Sequence, residues 1–274
     1  MKITASQVND LRKKTGAGMM DCKKALEEAN GDVEVAIDLL RKKGQKVAAK
    51  RGDNEAKEGL VFAESTGNVG YIIQLNCETD FVAKNEDFQN FVKNILKVGM
   101  DNNATSVEEV KALKFDEKLT VDEKIIEQIG VIGEKLELSG FARIEASFVE
   151  AYNHPGNQLA ALVGLNKDSE EVREAGRQVA MQVAAMNPLA LTKDGIDEET
   201  IARELEVGRD LAIQEGKPAE MADKIAQGRL NKFFKENTLL SQDFVRDNKV
   251  SVEKFLNSVE SGLTVTDFKR FALS

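Results

Sequence analysis

Apolar residues near the start of the chain recur three or four positions apart, which is the spacing of amphipathic helices. Thr4 and Gln7 form a capping-box pattern that predicts the beginning of a first helix. Gly16 and Gly18 are predicted to end this helix, because glycine readily terminates helices. A second helix is predicted from about residue 19 to residue 29, where an Asn-Gly pair stops the pattern.

Asp32 can cap a third helix, whose apolar residues keep helical spacing up to Gly44. Residues 41–51 are rich in Lys and Arg and lead into a polar stretch, so this segment is predicted to be a linker. Its basic residues fit two interpretations: a contact with RNA or an acidic partner, or a solvated helix end followed by a hinge. Residues 1–51 therefore predict an N-terminal three-helix docking domain with a basic linker, because so small a bundle has too little core for a catalytic cavity.

The pattern then changes to that of a β-hairpin followed by a helix. Two apolar runs, 59–65 and 69–76, flank a turn of polar residues, and helical spacing resumes at about 88–98. The same order returns between residues 147 and 186. This repetition predicts an α+β fold with a duplicated hairpin-and-helix core, in which sheets lie on one side and helices on the other.

The two copies define two predicted subdomains of the core. The first spans residues 52–140 and includes a helical insertion at 106–135. The second spans residues 141–196 and is completed by residues 237–274.

Residues 197–236 are predicted to form an antiparallel helical hairpin. Helical spacing breaks at residues 215–218, and Pro218 suits the first turn of the returning helix. Gly208 and Gly228 lie in the predicted apolar seam, where small residues let two helices approach closely. The hairpin is predicted to protrude as an arm about 25 Å long, at a rise of 1.5 Å per residue. The alternative is a hairpin packed flat on the core.

One strand-to-helix connection combines features of a contact site. Between a strand that ends near Asn76 and a helix capped by Asn85, Asp80 and Phe81 lie at the tip. A Phe at a loop tip can enter a partner's pocket, while the acid alters the local charge. In the alternative interpretation Asp80 caps a turn and Phe81 folds back onto its own core. The second copy of the unit lacks this tip, so the fold itself does not require it.

Composition changes this picture mainly by exclusion. The 274 residues carry a formal net charge of −9, which argues against a protein that coats nucleic acid. An aromatic content of 5% without Trp disfavours a stacking platform for single strands. No apolar run approaches the roughly 18 residues needed to cross a bilayer, and the start, residues 1–4, passes directly into an amphipathic helix. A cytoplasmic protein without membrane contact is expected.

Candidate chemistry is sparse. Cys22 and Cys77 lie in different predicted domains, so no disulfide is expected and a reducing compartment fits. His154 is the single histidine and forms no zinc pattern with these cysteines. A nucleophilic pair of Cys77 with His154 lacks a third, orienting group. No phosphate loop or calcium loop is recognisable, so neither a metal, a cofactor nor an enzymatic activity is expected.

Two stretches, 15–32 and 77–84, resemble the bacterial elongation factor Ts family. They contain Thr-Gly-Ala-Gly-Met-Met-Asp-Cys with a later Asn-Gly-Asp, and Cys-Glu-Thr-Asp-Phe-Val-Ala-Lys. The resemblance continues through residues 153–154, 215–218 and 228–233, so that it covers nearly the whole chain. It implies a UBA-like N-terminal bundle that docks on the G domain of a partner and a helical hairpin that reaches the same partner.

The resemblance further implies a guanine-nucleotide exchange factor of translation elongation that performs no covalent chemistry. Such a factor binds elongation factor Tu, in its GDP-bound and nucleotide-free forms, and promotes GDP release and GTP rebinding. By direct match to the family motif, the residues that would displace Mg²⁺ from the partner's nucleotide site are Thr79, Asp80, Phe81 and Val82.

Further residues are implied as contacts with the partner. Met19 and Met20 belong to the N-terminal bundle, and His154 belongs to the turn of the second hairpin. No direct contact with nucleic acid is expected. Assembly as a homodimer or as a heterotetramer with the partner stays open.

A second class of function also stays open, namely a module that docks on a ribosome, an RNA or a protein without nucleotide exchange. Family members usually continue after a strand like residues 265–271 into a glycine-rich turn and a final partner-binding helix. This chain stops at Ser274; if it is truncated there, a reduced affinity for the partner is expected.

Overall fold

The protein combines helices with small sheets and is divided into two units. A computed structural model describes residues 3–273. The first unit comprises residues 3–62, 72–143 and 271–273, and the second comprises residues 63–71 and 144–270. The predicted α+β class is confirmed, whereas the four-part domain division stays a prediction. Met1 and Lys2, the start of the predicted amphipathic segment, lie outside the described residues.

The elements occur in the following chain order. Those that lie mainly in the first unit are α1 (Ala5–Thr15), α2 (Met19–Glu28), α3 (Val33–Arg51), β1 (Glu58–Ser65), β2 (Val69–Cys77), α4 (Asp80–Ala83), α5 (Glu86–Asp101), α6 (Val107–Ala112), α7 (Val121–Ile132) and β3 (Leu136–Glu145). Those that lie mainly in the second are β4 (Phe148–Asn153), β5 (Leu159–Leu165), α8 (Glu170–Met186), α9 (Glu198–Gln214), α10 (Ala219–Asn237), β6 (Asp243–Phe244), β7 (Asp247–Ser251), α11 (Val252–Val259) and β8 (Val265–Ala272). Within residues 3–273, no helix has both the length and the apolar character that a membrane crossing requires.

The predicted beginnings of the first three helices are confirmed, and so are the ends of the first two. The Thr4 hydroxyl accepts a hydrogen bond from the backbone N–H of Gln7, and the Gln7 side chain accepts one from the backbone N–H of Thr4. Gly16 ends α1 in the left-handed conformation, with φ 70°. Asp32 caps α3 by accepting from the N–H of Val35 at 3.1 Å. These local signals depend on neighbouring residues only, which is why the sequence reveals them.

The prediction that α3 ends at Gly44 is wrong, because the helix continues to Arg51. Residues 41–51 are therefore helical rather than a linker. A Cβ added to Gly44 would lie 2.9 Å from the carbonyl oxygen of Ile126, and one added to Gly130 would lie 2.7 Å from the Cα of Gly44. The two glycines let α3 and α7 pack with their backbones in near contact. The reason for Gly44 is thus a distant helix, which a local pattern cannot indicate.

The sheet of the first unit has the strand order β1–β2–β3, and its third strand was not predicted. The preceding helix was expected to continue to Lys135, but α7 ends at Ile132, where Gly133 adopts φ 81°. Beyond it, buried Leu136 and Leu138 alternate with exposed residues, which is the period of a strand. The alternation of buried and exposed residues therefore indicates a strand only if the preceding helix is known to end before Gly133.

The second unit has a sheet of similar order, β4–β5–β8. β4 and β5 are antiparallel, in a register from Phe148 opposite Leu165 to Asn153 opposite Ala160. α8 packs on both strands and contributes Val172, Val179 and Val183 to the core cluster of this unit. In both units the second strand of a hairpin is central and a helix follows it, although the predicted duplication itself stays a prediction.

α9 and α10 pack against each other as a helical hairpin, as predicted from their pattern. A Cβ on Gly208 would lie 3.2 Å from the Cα of Ala226, so that the backbones approach closely at this point. Gly228 was also assigned to this seam, and that assignment is wrong, because nothing lies within 4 Å of the position of its Cβ. The role of the hairpin as an arm stays a prediction.

The Gly44 contact predicts an unusual result for Gly44→Ala. Alanine favours a helix interior by about 1 kcal/mol over glycine, but here its Cβ would collide with a backbone carbonyl, and overpacking costs about 1–3 kcal/mol. We expect a net fall in the free energy of unfolding, measured by urea denaturation. Gly228→Ala, in an open helical position, is the matched control and should raise this free energy. An equal increase in the free energy of unfolding for both variants would contradict the close approach of α3 and α7.

Candidate functional site

The connection between β2 and α5 contains α4, a single helical turn. The Thr79 hydroxyl caps this turn by accepting from the N–H of Val82 at 3.4 Å. Asp80 follows as the first helical residue, and its carboxylate pairs with Lys84 one turn later at 2.6 Å. None of the four residues of α4 is buried. Asp80, Val82 and Ala83 are partly buried, and only Phe81 is exposed.

Phe81 projects from α4 with 83% of its surface exposed. The alternative interpretation, in which Phe81 folds back onto the core and Asp80 caps a turn, is wrong, because Thr79 is the cap and the ring faces solvent. Leaving a Phe side chain exposed forgoes about 1.5–3 kcal/mol of burial free energy. That free energy is available to a complex in which the ring becomes covered.

Glu78, just before the turn, is held by several donors. Its carboxylate accepts from the Arg51 guanidinium at 3.0 and 2.8 Å, from the Asn54 amide at 3.0 Å and from the backbone N–H of Lys135 at 2.6 Å. Burial alone would raise the pKa of Glu78, but these hydrogen bonds and the Arg51 charge hold the pKa below its usual value. Glu78 is thus an ionised anchor between the end of α3 and the beginning of β3.

Thr79 is held by the carboxylate of Glu134, the residue that precedes Lys135 in the chain. Its backbone N–H donates to Glu134 Oε2 at 3.0 Å, and its hydroxyl donates to Glu134 Oε1 at 2.7 Å. A hydroxyl can donate once and still accept, so the same oxygen caps α4. Both residues before Asp80 are therefore fixed by hydrogen bonds.

Three of the basic residues in 41–51 have acidic partners within the first unit. Arg51 binds Glu78, Lys43 pairs with Asp21 at 2.6 Å, and Arg41 lies 3.6 Å from a carboxylate oxygen of Glu123. Part of the positive charge of this segment therefore stabilises its own chain. The proposed contact of this segment with RNA or an acidic partner stays a prediction.

Met19 and Met20 begin α2 and are 55% and 61% exposed, which is uncommon for two adjacent large apolar residues. A cavity of about 530 Å³ in the same unit is lined by Gly16 and by Val82 of α4. Gly16 lies two residues before Gly18, the N-cap of α2. The structure thus brings Val82 and the beginning of the α1–α2 connection to one surface.

His154 belongs to the second unit, in the turn between β4 and β5. Its ring is exposed, and its Nδ1 lies 3.0 Å from the hydroxyl of Tyr152. Asn157 and Gly156 adopt positive φ in this turn, as its Asn-Gly composition indicates. The histidine is therefore presented to solvent by a hairpin turn.

Cys77 is fully buried and donates a hydrogen bond to the carbonyl of Thr79 at 3.2 Å. Burial and the nearby charge of Glu134 raise the pKa of its thiol to about 12. The nucleophile in cysteine chemistry is the thiolate, so the structure argues against the Cys77–His154 pair. Within residues 3–273, no three His, Cys, Asp or Glu side chains gather closely enough to hold a metal ion.

Arg51 and Glu134, which support the tip, were not among the predicted site residues. Arg51 lies 27 positions from Glu78, and Glu134 lies 55 positions from Thr79. No spacing rule for helices or strands connects residues so far apart. Only the folded chain identifies them.

Comparisons with known proteins identify similar chains over the whole sequence. A family model described as Elongation factor TS matches residues 78–274. A protein named elongation factor Ts from Christiangramia forsetii is 53% identical over 275 residues, which is 99% of this chain and 99% of the relative. Proteins of the same name from Flavobacterium psychrophilum and Clostridium kluyveri are 49% and 44% identical and cover 99% and 98% of this chain, with 98% and 92% of their own lengths.

The anchored state of Glu78 predicts a pH dependence of stability. Because its folded pKa is below the ordinary value of about 4.3, its charge stabilises the fold above that pH, and this contribution is lost as the pH falls through the folded pKa. We expect wild-type protein to lose more stability than Glu78→Gln on acidification from about pH 6 to pH 3, measured by thermal unfolding.

Glu108→Gln, in an exposed position of α6, is the control and should follow the wild-type curve. Parallel curves for wild type and Glu78→Gln would show that the hydrogen bonds to Glu78 do not depend on its charge.

Proposed function

The chain belongs to the elongation factor Ts family, and we propose that it acts as a guanine-nucleotide exchange factor in translation elongation. In this role it binds elongation factor Tu carrying GDP, promotes GDP release and lets GTP bind in its place. The observation that carries the proposal is Phe81, a large apolar side chain held in solvent by a polar-anchored connection, within the family's own motif.

The mechanism is displacement of Mg²⁺ from the partner's nucleotide site. Mg²⁺ needs near-ideal octahedral geometry and is usually held by one or two carboxylates together with the phosphates of the nucleotide. A ring inserted between the elements that carry those ligands disturbs this geometry and releases the ion. The phosphates of GDP then lose their largest neighbouring positive charge, so that GDP dissociates faster. No covalent step is required of this chain.

Asp80 adds charge to the same event. In the free protein its carboxylate is paired with Lys84 at an exposed position, and exposed ion pairs exchange partners at little cost in free energy. Once it lies beside the phosphates of the GDP bound to the partner, the Asp80 carboxylate repels their negative charge. Thr79 orients the turn and Val82 extends its apolar surface, so that the four motif residues act together.

The remaining predicted contacts serve docking. Met19 and Met20 offer an exposed apolar pair on the N-terminal bundle, which suits burial against the G domain of the partner. His154 and the α9–α10 hairpin extend the contact from the second unit. These contacts supply affinity, whereas the motif residues supply the change in GDP binding.

Coupling between the two ligands of elongation factor Tu must be reciprocal. If this chain weakens GDP binding by some factor, bound nucleotide weakens the binding of this chain by the same factor. Rebinding of GTP therefore expels the exchange factor. The cycle is driven by differential affinity rather than by any reaction on this protein.

Phe81→Ala is expected to slow GDP release from elongation factor Tu by about 10–100-fold at saturating factor, because about 1.5–3 kcal/mol of ring burial is lost. The measurement is the release of fluorescently labelled GDP in stopped flow. The variant should keep wild-type thermal stability, since the ring is exposed in the free protein. Leu189→Ala, which truncates another exposed apolar side chain (56%), is the control and should release GDP at the wild-type rate.

Two further measurements separate the hypotheses. With Mg²⁺ removed by a chelator, wild type and Phe81→Ala should release GDP at similar rates; a difference that persists would contradict the displacement mechanism. If the wild-type chain binds elongation factor Tu but leaves GDP release unchanged, the non-exchanging docking module is the correct function.

A further inference from the structure

Two dipeptides from distant parts of the chain exchange hydrogen bonds in a reciprocal arrangement. Glu78 accepts from the backbone N–H of Lys135 at 2.6 Å, and Glu134 accepts from the backbone N–H of Thr79 at 3.0 Å. Each carboxylate thus takes the N–H of the residue that follows the other carboxylate. We call these four residues, Glu78, Thr79, Glu134 and Lys135, the clasp.

The clasp lies immediately before α4, where the chain enters the turn. A helix of four residues is far below the length that is stable by itself, and no residue of α4 is buried. The orientation of Phe81 therefore depends on how the first turn is joined to the rest of the unit. Glu134 fixes this joint through the hydroxyl of Thr79 at 2.7 Å, which is also the cap of α4.

The other side of the clasp is itself firmly placed. Glu134 follows Gly133, whose left-handed conformation ends α7, and precedes β3. The Lys135 ammonium group donates to the carbonyls of Gly52 and Asn54, at 3.0 and 3.1 Å. Glu134 thus projects from a segment tied to a helix end, a strand and the chain that follows α3.

We propose that Glu134 is a positioning residue for nucleotide exchange, which acts on Phe81 through Thr79. This inference rests on the proposed function. Holding a group in its productive geometry before it is needed lowers the barrier, whereas a misplacement of about 1 Å can cost about 100-fold in rate. Because docking contacts elsewhere on the chain are untouched, loss of Glu134 should act on the rate of GDP release within the complex rather than on formation of the complex.

The test uses the full chain with elongation factor Tu and labelled GDP. Glu134→Ala should lower the maximal rate of GDP release by about 10-fold or more, with a smaller change in the concentration that gives half-maximal rate. Glu134→Gln should restore most of the rate, because its amide oxygen can accept from the N–H of Thr79 while its NH₂ group donates to the hydroxyl. Glu108→Ala, the removal of an exposed carboxylate from α6, is the control and should match wild type.

A double variant distinguishes positioning from general loosening of the fold. If Glu134 acts mainly through the ring, the loss of rate caused by Glu134→Ala should be much smaller in the Phe81→Ala background than in the wild type. Amide hydrogen exchange of the free protein supplies a reading that does not involve the partner: residues 79–84 should exchange faster in Glu134→Ala and as in wild type in Glu134→Gln.

The possible results distinguish a failure of the proposed role of Glu134 from a failure of the proposed exchange function. If wild type and Phe81→Ala behave as proposed but Glu134→Ala releases GDP at the wild-type rate, the role of Glu134 is overturned and the exchange function stands. Additive losses in the double variant would likewise overturn it. If wild type does not accelerate GDP release at all, the proposed function fails and this inference fails with it.

Discussion

Hydrogen bonds to two carboxylates decide where a large aromatic ring can go. Phe81 would gain free energy by folding onto the protein, yet it is exposed, because Glu78 and Glu134 fix the two residues that precede its turn. Charge-assisted hydrogen bonds are among the strongest polar contacts in proteins, and here they act on backbone groups, which leaves little freedom to the chain. The exposed ring is thus carried by a connection whose first two residues are held by polar contacts.

The anchors depend in turn on close packing elsewhere in the first unit. Arg51 can reach Glu78 only because α3 continues beyond Gly44, and α3 continues there in near-backbone contact with α7. The end of α7 at Gly133 then places Glu134 opposite Thr79. One pair of glycines is therefore linked, through two helix ends, to the orientation of Phe81.

Local features of this protein could be predicted from its sequence, and long-range ones could not. The caps at Thr4, Asp32 and Asn85 depend on residues within one turn, so their patterns are informative. Asp80 and Phe81 could be placed at a tip for the same reason, with exposure of the ring as one of two alternatives, whereas the motif 79–82 came from the family resemblance. By contrast, Gly44 was assigned to a helix end because its true partner, Gly130, is invisible to local spacing. Arg51 and Glu134 could not be predicted either, because their partners Glu78 and Thr79 lie far away in the sequence.

The burial of Cys77 has a consequence for how this connection responds to its surroundings. Oxidation of cysteine begins with an exposed thiolate. The Cys77 thiol is instead buried and protonated, and it donates a hydrogen bond to the carbonyl of Thr79. Peroxides and electrophiles are therefore expected to react slowly with this thiol. The segment that carries Phe81 thus has a cysteine only four residues from the ring, and that cysteine serves as a packing residue.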